Sequence, residues 1–282
     1  GWIAELAKTH RVVLLDQRGT GMSSPLSARN ITAVGDPQVQ AEYTELFRAD
    51  SIIADAEAVR EVLLADRADK RWSTIGQSFG GFLTLSYLSF APQSLRDCRI
   101  TAGLAPIRTS VDNVYQHTFD RMKERVEEYY SWFPEDAELA TRIAEHLRTH
   151  KEYLPTGERL TDHRFQMAGH FLGGRWRERG LHYFLETAFA EGNDHLSDQF
   201  LTAMGAEVTF QANPLYALMH ETIYADGPAD GVLPGIPGYE LSPSPAPTNW
   251  SAARVAASRP EFAPDADRLL FTGEHIFPWY YE

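Results

Sequence analysis

The sequence predicts an α/β fold built on a mostly parallel sheet, and three observations predict it. Short apolar runs alternate with helix-like stretches over the first hundred residues. A Gly-x-Ser-x-Gly pentapeptide, Gly76-Gln77-Ser78-Phe79-Gly80, joins a strand-like run to an apolar helix-like run. Beyond Pro106 the alternation gives way to helical periodicity, as expected of a mainly helical subdomain inserted into the sheet domain.

Taken in order, Arg11 to Leu15 is a short run of apolar, partly β-branched residues that stops at Asp16-Gln17-Arg18-Gly19-Thr20-Gly21. It reads as a fully buried parallel strand followed by a tight turn. Asp50-Ser51 offer caps to a helix in which Ile52, Ala56, Val59 and Leu63 recur on one face. The elbow strand follows, and after it Phe82, Leu83, Leu85, Tyr87, Leu88 and Phe90 predict a helix apolar almost all round, closed by Ala91-Pro92. Arg99 to Leu104 reads as the next strand, so strand, helix and strand alternate as a parallel sheet requires. Further helices are expected over 113–133, 136–149, 181–189, 196–204 and 215–224. The charged positions Arg121, Lys123, Glu124, Glu127 and Glu128 read as a solvated helix face.

Ser78 is the candidate nucleophile. A serine raised on a sharp strand-to-helix turn needs small residues two before and two after it, and Gly76 and Gly80 meet that need. The backbone N–H of Phe79, next after the nucleophile, is the expected oxyanion donor, and Gln77 completes the elbow.

At these residues the chain resembles the α/β-hydrolase family, and within it the proline iminopeptidases, serine peptidases that remove an N-terminal proline. The resemblance is carried by Asp16 to Pro25, by Gly76-Gln77-Ser78-Phe79-Gly80-Gly81 and by Ala102-Gly103-Leu104-Ala105-Pro106. Thr248-Asn249-Trp250 and the segment from Phe271 to Trp279 resemble later parts of that family's cap. It implies an α/β-hydrolase core over 1–106 and a mainly helical cap over 107–282. It also implies that a Gly-Gly-Pro-Gly loop precedes Gly1 and that the triad acid and histidine lie beyond Glu282, so the sequence reads as truncated at both ends. Among the residues present, His275 with Asp226, Asp230, Asp265 or Asp267 gives formally ordered sets. Asp265 and Asp267 are too close to His275 for a strand and helix between them, and Asp226 and Asp230 border a Gly/Pro-rich stretch.

The implied chemistry is acyl transfer through Ser78, with release of N-terminal proline from short peptides. Recognition of a charged amine calls for a buried carboxylate. Glu274 is the first candidate by the resemblance and Glu221 the second. Asp16 and Arg18 are expected to fix their turn rather than to take part in chemistry. Two other readings share the elbow: a carboxylesterase or amidase, and a non-catalytic binding protein of the same fold. The Gly/Pro-rich stretch 227–247 reads either as a surface insertion or as a substrate-gating lid.

Composition narrows the partners. A net charge of −13 without a basic cluster disfavours nucleic acid. No apolar stretch approaches membrane-spanning length, no histidine set has metal-ligand spacing, and no cofactor is expected. The single cysteine, Cys98, excludes an internal disulfide and fits a cytoplasmic enzyme.

Overall fold

A computed structural model describes residues 2–106, 109–174, 176–190, 194–224, 251–273 and 275. The Gly/Pro-rich stretch, Thr248-Asn249-Trp250, Asp226, Asp230 and Glu274 lie outside the described residues. The chain divides into two compact units, one of Gly1–Ala105 with Gln211–Leu215, the other of Pro106–Phe210 with Tyr216–Glu282.

The first unit contains helices α1 (Trp2–Leu6), α2 (Ala28–Thr32), α3 (Pro37–Glu45) and α4 (Ala49–Leu63), strand β1 (Trp72–Gln77), helix α5 (Phe79–Phe90) and strand β2 (Leu95–Thr101). β1 and β2 pair in parallel, with Gln77 opposite Thr101, and α5 is the crossover between them. Helix α4 buries Ile52, Ile53, Ala56 and Arg60; of the face that the periodicity specified, Ile52 and Ala56 are buried, while Val59 and Leu63 are half-buried. Its N-cap is Arg48, which makes no side-chain cap bond, and Asp50 falls in the first turn rather than at the cap. An apolar cluster of Ile53, Ala56, Tyr87, Ala91 and Leu95 lies between α4, α5 and β2.

Two expectations fail in this unit. Arg11 to Leu15 is not a strand: the segment has no regular structure, and Leu14 is 67% exposed. A continuous apolar run asks for ladder partners on its edges and cover on both faces, and the described residues supply neither. Helix α5 is not enclosed on all sides either. It buries Gly81, Thr84 and Tyr87, while Leu88 and Phe90 are exposed. All-round apolarity states what a helix can be buried in, and only one of its faces meets described residues.

The second unit is mainly helical. Its longest elements are α6 (Val111–Trp132) and α7 (Pro134–Thr149); strands β3 (Glu152–Tyr153) and β4 (Arg159–Leu160) form a small antiparallel pair. Helices α8 (Asp162–Gln166), α9 (Glu178–Glu186), α10 (Asp198–Val208), α11 (Pro214–Leu218) and α12 (Ser251–Ala257) follow. Ser110 caps α6 through the N–H of Asn113, and Pro134 sits in the first turn of α7, where its missing N–H costs nothing. One apolar core runs through the unit, drawing Phe119 and Val126 from α6, Ile143 and Leu147 from α7, Leu181 from α9 and Phe200 from α10. Gln166 ties Leu269–Phe271 into this core by donating to the carbonyls of Phe262 and Leu270, both at 2.8 Å. The expected helix over 215–224 is instead two short pieces, α11 and a 3₁₀ turn at Glu221–Tyr224. The charged positions of α6 are exposed and paired, Arg121 with Glu124 at 2.6 Å and Lys123 with Glu261 at 3.7 Å.

Candidate functional site

In the first unit the sequence dictates an abrupt reversal at Ser78. β1 ends at Gln77, α5 starts at Phe79, and Ser78 between them takes φ 53° and ψ −123°. That region is sparsely populated by residues with a Cβ and costs about 1–3 kcal/mol. Packing holds Ser78 there. Its N–H donates to Thr101 O at 3.0 Å, and its carbonyl accepts from Gly81 N at 2.7 Å. The side chain is consequently exposed at the end of the sheet. Phe79 is the first residue of α5, so its N–H belongs to the group that a helix leaves without an intrahelical acceptor. This N–H and the positive end of the 12-residue helix both favour negative charge beside Ser78. Among the described residues, no side chain is hydrogen-bonded to the Ser78 hydroxyl.

The glycine requirements differ from those expected. A Cβ on Gly76 would lie 2.0 Å from Gly80 O, so Gly76 is obligatory. A Cβ on Gly80 would meet nothing within 4 Å. The second crowded position of the elbow is Gly81, whose Cβ would lie 2.3 Å from Gly103 O. Gln77, the last residue of β1, is exposed.

Two polar assemblies brace this elbow. Asp16 accepts the N–H of Met22 at 2.9 Å, and Arg18 grips Asp55 of α4 with two bonds of 2.6 Å while donating to Leu46 O at 2.8 Å. Behind the sheet, Glu57 accepts two bonds from Arg60 at 2.8 Å and one each from Ser94, at 2.7 Å, and Tyr87. Trp72 of β1 donates to the Tyr87 oxygen at 3.0 Å. The Arg60 guanidinium, helped by the Tyr87 and Ser94 hydroxyls, holds the Glu57 carboxyl down at about 2. One carboxylate thereby joins α4, β1, α5 and the turn before β2.

In the second unit Glu221 is 1% exposed and accepts the N–H of Ala252 at 3.1 Å. Tyr115 of α6 is close to it: burial, and after it the Glu221 charge, push the Tyr115 phenol well above its ordinary range. Tyr224 packs edge-on to Tyr115, with centroids 6.1 Å apart, and to His220 at 6.0 Å. A carboxylate is thus set among aromatic rings.

His275 does not form a triad with Asp265 or Asp267. Both carboxylates are exposed, whereas His275 is buried and stacked on Phe119 at 3.8 Å. Its Nδ1 faces Thr272 O and its Nε2 lies 2.7 Å from Thr118 Oγ1. The carbonyl requires Nδ1 to carry a proton, and the Thr118 hydroxyl also reaches the Tyr115 carbonyl at 3.2 Å.

Sequence reasoning missed three features. Asp136, 1% exposed, is bonded by Tyr129 and by His182 Nδ1 at 3.0 Å, joining α6, α7 and α9. A cleft of about 670 Å³ lies between Arg125, Trp132, Trp176 and Arg179, and contains no sequence-predicted site residue. Gly103, beyond the pentapeptide, packs on the elbow. Only the last has a local signal, the Ala102-Gly103 pair directly after a strand.

A family model described as the alpha/beta hydrolase fold matches residues 1–172. The chain is 40% identical over 283 residues to a proline iminopeptidase of Aeromonas sobria, covering 100% of this chain and 61% of that protein. It is 35% identical over 280 residues to the proline iminopeptidase aneH of Aspergillus aculeatus, covering 96% of this chain and 58% of that protein. The chain therefore spans about three-fifths of the length of these relatives.

Proposed function

The chain belongs to the α/β-hydrolase family, and from that premise we propose that it carries the nucleophile of a serine aminopeptidase that releases N-terminal proline from short peptides. The observation that supports this most is the backbone of Ser78, strained at φ 53° between a parallel strand and a helix. A positive φ alone does not mark chemistry, since Ser24 shares it at φ 54°; at Ser78 it falls between a parallel strand and a helix N-terminus, the setting of a nucleophile elbow.

In the proposed reaction Ser78 Oγ attacks the prolyl carbonyl, and the oxygen that gains charge is met by the N–H of Phe79 at the start of α5. A serine hydroxyl needs a base to take its proton, and that base an orienting acid. The reading places both outside the described residues. The scissile C–N bond breaks, the rest of the peptide leaves as an amine that takes up that proton, and water then hydrolyses the prolyl ester to free proline and restore the Ser78 hydroxyl.

Glu221 is the proposed partner of the substrate's amine. A secondary ammonium would add a charge-assisted hydrogen bond to this buried carboxylate, and Tyr115 and Tyr224 would pack against a compact ring. Glu274, proposed for the same role from the resemblance, is outside the described residues. In this reading 1–106 is the part of the hydrolase core that holds the nucleophile, and 107–282 the cap that selects substrate. Nucleic acid and membrane have no part in it; among the described residues no helix is long and apolar enough to cross a membrane. The names of both relatives support the peptidase over the esterase.

Release of arylamine from proline arylamide by the protein and by its Ser78→Ala variant tests the reading. Loss of about 10⁴-fold or more in kcat with an unchanged circular dichroism spectrum is expected. Faster turnover of a simple acyl ester than of any proline arylamide would replace the peptidase with an esterase.

A further inference from the structure

The exit of β2 approaches the elbow more closely than ordinary strand packing requires. After Thr101, whose carbonyl holds the Ser78 N–H at 3.0 Å, the chain turns at Ala102 with φ 48°, a left-handed conformation that disfavours a side chain. The turn lays Gly103 against the nucleophile's own peptide. A Cβ on Gly103 would fall 2.1 Å from Ser78 O and 2.9 Å from Gly81 Cα; one on Gly81 would fall 2.3 Å from Gly103 O. These contacts are backbone to backbone, so no flexible side chain can yield.

We propose that Gly103, aimed by the left-handed turn at Ala102, is a positioning residue that clamps Ser78 in its reactive conformation. The proposal rests on Ser78 being the nucleophile. Ser78 has two backbone torsions to hold, and its N–H is fixed by Thr101. Its carbonyl is pressed between the Gly81 N–H, at 2.7 Å, and the Gly103 backbone. Gly76 against Gly80 O closes the remaining side. The clamp therefore comes from the strand after the elbow, and a residue outside the pentapeptide decides where the serine oxygen points. Ala102 takes this turn against its own preference, so the conformation is imposed by the packing of Gly103 on the elbow.

The test measures the rate at which a fluorophosphonate labels Ser78, located by peptide mapping, in the parent, Gly103→Ala and Ala102→Val, with kcat and KM for a proline arylamide read alongside. Gly103→Ala displaces the elbow and should label about 100-fold more slowly, the cost of misplacing a reacting group by about 1 Å. KM should stay at the parental value while kcat falls. Ala102→Val, at an exposed position, places a β-branched side chain where the left-handed region excludes it and so draws Gly103 off the elbow without adding an atom to Gly103. It should label several-fold more slowly, and it carries the test where Gly103→Ala does not fold. Parental labelling rates in the folded variants would overturn the proposal and leave Gly103 a packing residue. A parent that is never labelled at Ser78 would remove the nucleophile itself, and the proposal with it.

Discussion

The two units are held together by different means. The second has an apolar core that draws on every long helix, from Val111 in α6 to Val208 in α10 and on to Phe271. The first has a small cluster around Tyr87 and exposes Val13, Leu14, Leu15, Leu88, Phe90 and Leu104. Its order comes from the Glu57 hydrogen bonds, the Arg18–Asp55 pair and glycines packed against backbone. The strained serine lies in the unit with the smaller core. Directional polar bonds and close backbone contacts fix a torsion angle better than apolar burial does, because burial is non-directional and tolerates repacking. The difference suggests that geometry at Ser78 is set locally, and stability in the second unit globally.

The largest expected effect sharpens that contrast from the second unit. Phe119 is fully buried, stacked on His275 and edge-on to Phe262. Phe119→Ala should cost about 3–5 kcal/mol. Hydrogen exchange should show that cost in α6 and α7, with slowly exchanging amides in β1 and α5 left as they were; an equal loss in β1 and α5 would break the comparison.

Glu221→Gln keeps shape and removes charge. If the buried carboxylate receives the substrate's amine, kcat/KM for proline arylamide should fall about 100-fold, the scale of losing one partner of a buried charge pair. Turnover of an N-acylated proline arylamide, which has no charged amine, should not fall. Equal losses on both substrates would return Glu221 to a purely structural role.

Acid should act on two carboxyls with opposite sign. Glu57 titrates near 2 in the folded protein against an ordinary value of 4.5, so its contribution is complete above about pH 4.5 and fades as pH falls toward 2. Burial raises the Asp136 carboxyl above its ordinary 3.8, so its contribution is complete below that value and is lost as pH rises through the raised one. Between pH 5 and pH 3 the Glu57 contribution should fade while that of Asp136 is gained; the lowered carboxyls Asp55 in the first unit and Asp120 and Asp162 in the second add losses in acid to both. Glu57→Gln should flatten the response of β1 and α5 over that interval, and an unaltered slope would exclude Glu57 as its source.

The smallest effect concerns the pentapeptide itself. Gly80→Ala places a methyl in open space within a helix and should stabilise α5 by up to about 1 kcal/mol. A loss of several kcal/mol would show that Gly80 is as crowded as Gly76.

What could be read in advance follows the range of the interactions. The Ser78 turn, α4, α5 and the long helices of the second unit were legible because periodicity and glycine spacing are local signals. Even there, β2 begins at Leu95, earlier than the Arg99 read from apolarity, because Leu95 and Cys98 pair with Trp72 and Thr74 of β1 across an irregularity that the pattern does not mark. The run at Arg11–Leu15 was misread because strand formation depends on neighbours that a pattern cannot supply. Gly80 was misassigned because the pentapeptide does not say which glycine faces backbone. The setting of Glu221 was out of reach: Tyr115 and Ala252 lie far from it in sequence, and no local pattern pairs them with it.

The most direct measurement on the central claim is peptide mapping of the protein after inactivation by a fluorophosphonate, with and without proline arylamide as protectant. The account predicts one modified residue, Ser78, with modification slowed in proportion to occupancy by the arylamide. Modification of a different serine, or inactivation that the arylamide does not slow, would contradict it.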